Sequence, residues 1–235
     1  MSNLAEKLAG KFIVLDGPDG SGKSTQLSML HEYLLELGGK VELVRDPGGT
    51  EIGEKIRNLL LDTDNSQICP MCETLLFMAS RAQLIEQRIK PALQKGMIVL
   101  CDRFISATIA YQGAAGIEPE TIIKLGEIII GNTWPDLTII LDVPIEVCRQ
   151  RIGLPEVRWR KSGELSAPPP PLFGDRMETK DLPYHQDVLR IFEELEKYYP
   201  RPVVRINGDR KQEIIFKDIL DILEKVFTQT QTEER

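Results

Sequence analysis

Short apolar runs alternate along most of the chain with segments in which apolar residues recur every three or four positions. The short runs predict buried strands, and the longer periodic segments predict amphipathic helices. We expect strands at 12–16, 40–44, 97–101, 137–141 and 203–206. We expect helices at 23–37, 51–60, 72–94, 119–130, 145–152, 182–199 and 212–227. Nearly continuous apolar strands separated by helices predict an α/β fold with three layers, in which helices flank a five-stranded parallel sheet.

Residues 153–174 depart from this pattern and predict a long loop. They contain Arg158, Arg160 and Lys161, followed by four prolines at 168–171. Three cations within four residues suit a mobile clamp on phosphate, although residues 168–173 are equally typical of a solvated insert. We therefore expect one domain over 1–227 with a lid insert at about 153–175, and a polar, frayed tail at 228–235.

Bulk properties limit the function classes. A net charge of −7 disfavours nucleic-acid binding through a basic surface. No apolar run approaches the roughly 18 residues of a membrane span, and the N-terminus lacks the apolar core of a signal peptide. We expect a cytoplasmic enzyme. Cys69 and Cys72 have metal-ligand spacing, but as a lone pair they are weak evidence for a metal or redox site.

A phosphate-binding motif follows the first predicted strand directly and opens the first long helix. Its residues are Gly17, Pro18, Asp19, Gly20, Ser21, Gly22, Lys23, Ser24 and Thr25. Two glycines at this spacing, followed by Lys and Ser, are the signature of a P-loop. Backbone N–H groups of such a loop cradle phosphates, the Lys reaches the outer phosphates and the Ser hydroxyl ligates Mg²⁺. The motif predicts a P-loop NTPase fold that binds a nucleoside triphosphate.

Two other strand ends carry residues suited to phosphate chemistry. Asp102 and Arg103 end the apolar run at 97–101. In P-loop folds such an Asp lies beside Mg²⁺, directly or through water, and the Arg suits bidentate binding of a phosphate. The same two residues are also compatible with an ion pair at the protein surface that has no role in phosphate binding. Residues 45–50 form a Pro-Gly-Gly turn that lets a ligand approach the backbone, although a plain turn is as compatible with this sequence.

In this order and spacing, the motifs resemble the thymidylate kinase family, whose members phosphorylate dTMP to dTDP with ATP. The resemblance is collinear from about residue 11 to about 227, and its segments are 16–25, 45–50, 75–83, 102–104, 110–113 and 175–178. The chain departs from the family pattern at Asp16 and Asp46, where Glu is usual, at Ala107, where Ser is common, and at Tyr184, where Phe is usual. The insert at 153–174 is also longer than the usual bacterial form.

The resemblance implies ATP and dTMP as partners, Mg²⁺ as cofactor and a homodimer. It assigns Lys23 to the outer phosphates, Arg103 to the acceptor phosphate and Asp19 to the acceptor's sugar and metal region. Ser24 and Asp102 would hold Mg²⁺, the latter through water. Some family members carry an arginine within the P-loop, where this chain has Gly20. The transition-state cation is therefore expected from Arg158, Arg160 or Arg151, in that order, and Arg151 is also expected to bind ATP.

The acceptor pocket is predicted mainly from one helix. Phe77 and Arg81 lie at i and i+4 and share a face, so a ring can stack on a pyrimidine while a guanidinium meets its carbonyl edge. Without the resemblance, the same spacing favours an ordinary amphipathic helix with Phe77 in the core and Arg81 at the surface. Tyr111 is expected beneath the sugar, where it would exclude a ribose 2′-OH. The full set expected to bind dTMP is Asp19, Arg45, Pro47, Phe77, Arg81, Arg103, Thr108, Tyr111 and Gln112.

Two other functions remain open at this point. One is a kinase for another pyrimidine nucleoside monophosphate, such as UMP, CMP or dUMP. The other is a nucleotide-hydrolysing switch or motor, although the chain has no Asn-Lys-x-Asp motif for guanine.

Overall fold

Five parallel strands form the centre of the computed structural model, which describes residues 3–153, 158–159, 165–166, 176–177 and 180–233. The strands are β1 (Phe12–Asp16), β2 (Val41–Arg45), β3 (Ile98–Asp102), β4 (Leu137–Asp142) and β7 (Val203–Asn207). They pair in the order β2-β3-β1-β4-β7. The predicted parallel sheet is confirmed, with strand ends that differ by at most one residue.

Helices cover both faces of this sheet. They are α1 (Leu4–Lys7), α2 (Lys23–Glu36), α3 (Glu51–Leu61), α4 (Pro70–Leu84), α5 (Lys90–Gln94), α6 (Ile105–Ala114), α7 (Pro119–Ile130), α8 (Ile145–Arg151), α9 (Leu182–Glu194) and α10 (Gln212–Glu233). Side chains of β1 alternate between two cores: Phe12 and Val14 pack with α4, α6, α7 and α9, whereas Ile13 and Leu15 pack with α1, α2 and α10. Because both faces are buried, the strands read as continuous apolar runs.

The helices differ from the prediction in several places: α1 was not predicted, and the helix expected over 182–199 ends at Glu194. The helix expected over 72–94 contains a π-helical turn at Ile85–Ile89, just before Pro91, which has no N–H to continue the α-helical ladder. Helix α6 was not predicted, since it is buried on nearly all sides and shows no polar stripe. Helix α10 runs on to Glu233 through a sequence without Gly or Pro, where a frayed tail was expected.

The segment predicted as a lid contains a short antiparallel ladder rather than loop alone. Strands β5 (Arg158–Trp159) and β6 (Leu165–Ser166) pair within it. Arg160, Lys161 and the prolines at 168–171 lie outside the described residues. In the part of the chain that the structure describes, no helix is long and apolar enough to cross a bilayer.

The sheet brings the predicted motifs together at one edge. The P-loop follows β1, residues 46–50 follow β2, and Arg103 follows β3. Because these strands are parallel neighbours, their carboxyl ends meet on the same side, where ligands of such sheets bind.

Candidate active site

The P-loop is closely packed by the elements around it. Gly17 and Gly20 have φ values of 134° and 81°, which favour glycine. A Cβ on Gly17 would lie 2.6 Å from the carbonyl oxygen of Leu141, and one on Gly20 would lie 2.3 Å from that of Cys148. The middle of α8 therefore occupies the space that a side chain at position 20 would need.

The two residues expected at the metal are in contact. The Ser24 hydroxyl donates a hydrogen bond of 3.0 Å to Asp102 Oδ2. A hydroxyl and a carboxylate are hard oxygen ligands, and Mg²⁺ usually takes only one or two groups from protein beside phosphates and water. The donor set at the end of β3 thus fits Mg²⁺. Lys23 is buried nearby and donates to the Pro18 carbonyl oxygen at 2.8 Å.

Arg103 links the P-loop to the residues beyond it. Its φ is 64°, an unusual value for a residue other than glycine, and such conformations cluster at functional sites. Its guanidinium donates to Asp19 Oδ1 at 2.5 Å and to the Gly17 carbonyl oxygen at 2.9 Å. It also lies 5.1 Å from the centroid of the Tyr111 ring. This cation is therefore held at the junction between the P-loop and α6.

The charge of Asp19 at this junction is balanced mainly by two cations, Arg103 and Lys23. Burial would raise the pKa of Asp19, but the Arg103 and Lys23 cations outweigh it and hold that pKa well below the ordinary value. Burial lowers the pKa of Lys23, and Arg103 adds to the effect. Burial raises the pKa of Tyr111 well above its usual range, so its neutral hydroxyl donates to Asp19 Oδ2, at 3.1 Å.

A cavity open to solvent lies beside Arg103, with about 520 Å³ of empty space when its open mouth is included. It brings together eight of the nine residues predicted to bind dTMP: Asp19, Pro47, Phe77, Arg81, Arg103, Thr108, Tyr111 and Gln112. The ninth, Arg45, lies elsewhere. It is exposed, pairs with Glu54 at 3.0 Å and lines an adjacent cleft with Ser24 and Asp102. Side chains alternate along an extended chain, so while Asp46 faces the interior, Arg45 faces out.

Arg81 is the most deeply buried cation of the cavity wall. Its side chain is 1% exposed, and its Nε donates to Asp46 Oδ2 at 2.6 Å. Its Nη2 donates to Thr108 Oγ1 at 2.8 Å, and the guanidinium stacks over the Phe104 ring. Asp46 was not predicted to act here, because nothing in the sequence signals that a residue of the turn after β2 pairs with one of α4.

Gln112 belongs to a second polar cluster at the far side of the cavity. Its Nε2 donates to Glu73 Oε1 at 2.6 Å. Glu73 also accepts from Arg176, which in turn donates to the Leu60 carbonyl oxygen at 2.9 Å. Gln112 Oε1 is buried and has no partner among the described residues. The cluster therefore fixes the amide with one acceptor available to a ligand, and neither Glu73 nor Arg176 was predicted to line or support the site.

Arg151 lines a different cleft of the P-loop from the one that holds Arg103. It donates to the Gly208 carbonyl oxygen at 3.1 Å and lines an open cleft with Gly22, Thr25 and Lys211. This position suits the predicted contact with ATP and is separate from the cavity that holds Arg103. The structure does not describe the side chain of Arg158 or any part of Arg160, so their predicted role in the transition state stays a prediction.

Comparison with known proteins gives a consistent result. A family model described as thymidylate kinase matches residues 15–219. The thymidylate kinase of Exiguobacterium sp. is 41% identical over 215 residues, which are 91% of this chain and 94% of the relative. That of Thermoanaerobacter sp. is 38% identical over 219 residues, which are 93% and 99% of the two chains. The crystal structure of thymidylate kinase from Ehrlichia chaffeensis is similar with a TM-score of 0.69 and 31% identity, covering 91% of this chain and 98% of that one.

Proposed function

Because the chain belongs to the thymidylate kinase family, we propose that it transfers the γ-phosphoryl group of ATP to dTMP, giving ADP and dTDP. The observation that carries this proposal is the open cavity beside the P-loop, whose lining includes Asp19 and its partner Arg103. The same lining includes the Phe77 ring, the Arg81 guanidinium and the Gln112 amide, which come from α4 and α6. A nucleoside monophosphate has matching groups at its two ends.

The chemistry needs alignment and charge neutralisation more than proton transfer. The second pKa of a phosphate monoester is near ~6, so the acceptor is mostly a nucleophilic dianion at neutral pH. We assign the P-loop amides and Lys23 to the β- and γ-phosphates of ATP. Arg103 would bind the acceptor phosphate, in part by exchanging its bond to Asp19 for one to the ligand. Holding donor and acceptor in line in a water-poor site supplies most of the acceleration.

Ser24 and Asp102 would hold Mg²⁺, as their contact and chemistry suggest. When bound, the metal neutralises charge on the β- and γ-phosphates. Asp102 would orient the metal's waters, and Arg45, which lines the same cleft, would add positive charge nearby. A role for Arg45 in binding dTMP itself stays a prediction.

Base recognition would divide among three side chains of the cavity. The Phe77 ring can stack on thymine, and Arg81 can donate to a carbonyl oxygen of its edge. Thymine also carries one N–H donor between its two carbonyls. Gln112 Oε1 is the buried acceptor without a protein partner and suits that donor. This acceptor complements the N3–H of thymine or uracil, whereas N3 of cytosine is itself an acceptor.

Tyr111 would set the preference for a deoxyribose. Its ring centroid lies 5.1 Å from the Arg103 guanidinium and 6.4 Å from the ring centroids of both Tyr184 and Phe192. A ring packed in this way cannot move aside at low cost, so an added 2′-hydroxyl would meet it. The pocket is thus expected to favour deoxyribonucleotides.

A homodimer in the cytoplasm completes the proposal. Four exposed apolar side chains lie on α3 and α4, two helices that pack side by side: Ile52, Leu59, Met71 and Leu75. A second copy of the chain would cover such a surface. Light scattering coupled to size-exclusion chromatography should give twice the mass of the chain, and a monomer at micromolar concentration would contradict this part.

An ADP-release assay with an acceptor panel tests the function. ATP and Mg²⁺ are supplied with dTMP, dUMP, dCMP, UMP, CMP or no acceptor. We expect turnover with dTMP to exceed turnover with every other acceptor and to be negligible without one. Preference for a ribonucleotide would indicate another pyrimidine nucleoside monophosphate kinase, and release without acceptor would indicate a hydrolysing switch or motor.

A further inference from the structure

Arg149 on α8 is a buried cation without a partner among the residues that the structure describes. Its residue is 9% exposed, and its Nε is buried without a hydrogen-bond acceptor. No ion pair links Arg149 to any residue that the structure describes. An arginine side chain stays protonated in proteins, and burying an unpaired charge is costly. Part of this cation is therefore desolvated without compensation, a cost that a bound anion would relieve.

The guanidinium lies against the phosphate cradle. Arg149 lines a small cavity together with Pro18 and Asp19 of the P-loop, Cys148 and Ile152 next to it, and His185 of α9. Arg149 forms no ion pair with Asp19, whose two carboxylate oxygens accept from Arg103 at 2.5 Å and from the Tyr111 hydroxyl at 3.1 Å. Pro18 lies beside Lys23, whose Nζ donates to its carbonyl oxygen at 2.8 Å, and the lysine of a P-loop reaches the β- and γ-phosphates. Arg149 therefore lines a cavity next to the place that the outer phosphates of the nucleotide would occupy.

The packing of α8 explains why the cation comes from outside the loop. A Cβ on Gly20 would lie 2.3 Å from the Cys148 carbonyl oxygen, so position 20 cannot carry a side chain in this backbone. The residue after Cys148 is Arg149. The element that excludes a side chain from the P-loop therefore places a guanidinium against the same loop, one residue further on.

We propose that Arg149 contacts the γ-phosphoryl group during transfer and neutralises its developing charge. The inference rests on the proposed kinase function. In that step the bond from γ-phosphorus to its bridging oxygen breaks, a bond to a dTMP phosphate oxygen forms, and ADP leaves with the bridging electron pair. No proton is transferred. Charge spreads over the three equatorial oxygens, which a planar guanidinium can contact with two N–H groups.

Steady-state kinetics and thermal unfolding of Arg149→Met test the proposal. We expect kcat to fall about 10³-fold or more, with little change in KM for ATP or dTMP. Because the variant loses an unpaired buried charge, its Tm should rise by about 2–4 °C. Arg149→Lys keeps the charge without the planar fork and should lie between wild type and Arg149→Met in kcat. Arg190→Met on the exposed face of α9 is the matched control and should change neither quantity.

Binding of a transition-state mimic gives a separate readout. ADP with aluminium fluoride and dTMP should bind Arg149→Met far more weakly than wild type, whereas ADP alone should bind both equally. A normal kcat in Arg149→Met overturns the proposal. A fall in kcat together with a lower Tm and weaker binding of ADP alone indicates a structural role and also overturns it. Failure of wild type to form dTDP would refute the proposed function instead, while the rise in Tm would still report the unpaired charge.

Discussion

Removing the partner of Arg81 should damage both stability and acceptor binding. Asp46 and Arg81 are 0% and 1% exposed at their side chains, and their ion pair spans 2.6 Å. In Asp46→Ala the guanidinium stays buried, with Thr108 and Met78 as its remaining hydrogen-bond partners among the described residues. Breaking a buried pair in this way typically costs about 3–5 kcal/mol. For a chain of this size that corresponds to a fall in Tm of about 6–20 °C.

Kinetics of the same variant report the orientation of Arg81. Without Asp46, the Nε of Arg81 loses its hydrogen-bond acceptor. The orientation of the other N–H groups in the cavity is then no longer fixed. We expect KM for dTMP to rise more than KM for ATP. Lys55→Ala is the control, because Lys55 forms an exposed pair with Glu51 at 2.8 Å, and its loss should cost less than about 0.5 kcal/mol.

A double variant separates the two effects. Asp46→Leu combined with Arg81→Met replaces the pair by apolar side chains and should recover much of the lost Tm, as replaced buried pairs often do. It should not recover turnover of dTMP, since no donor then faces the base. If Asp46→Ala melts within a degree of wild type with unchanged KM for dTMP, the assigned role of this pair is wrong.

Three further outcomes are expected. Phe77→Ala should raise KM for dTMP about 5- to 150-fold through lost stacking; an equal rise for ATP would count against the base site. Gly20→Ala should weaken binding of a fluorescent ATP analogue, because its Cβ would collide with the carbonyl oxygen of Cys148, and unchanged affinity would contradict this packing. Iodoacetamide at pH 8 should label exposed Cys69 and Cys72 first, since burial raises the pKa of Cys148 to about 11. Mass spectrometry showing equal labelling of Cys148 would refute that burial.

The periodic and motif-based parts of the molecule could be predicted from the sequence. Strands β1, β3 and β4 are buried on both faces, so most of their residues are apolar, and the P-loop glycines are required by a backbone with positive φ. Helix α6 could not be found in this way, because a helix buried on all sides has no polar stripe to mark its period.

Contacts between distant segments limited the prediction of the site. Phe77, Arg81 and Tyr111 were identified from spacing and resemblance, yet their partners were not. Asp46 meets Arg81 across 35 positions, and Arg176 meets Glu73 across 103. Arg149 was overlooked for a different reason. As one of several charges in a helical pattern it resembled a solvated residue, and only its burial against the P-loop distinguishes it.

Transfer of label from ATP to the acceptor tests the central claim most directly. ATP labelled at the γ-phosphate is incubated with Mg²⁺ and dTMP, and the products are separated by chromatography. A cavity that holds dTMP in line with the P-loop predicts that the label appears in dTDP, with one dTDP formed for each ADP. Label released as inorganic phosphate, or ADP formed at the same rate without dTMP, would contradict the account.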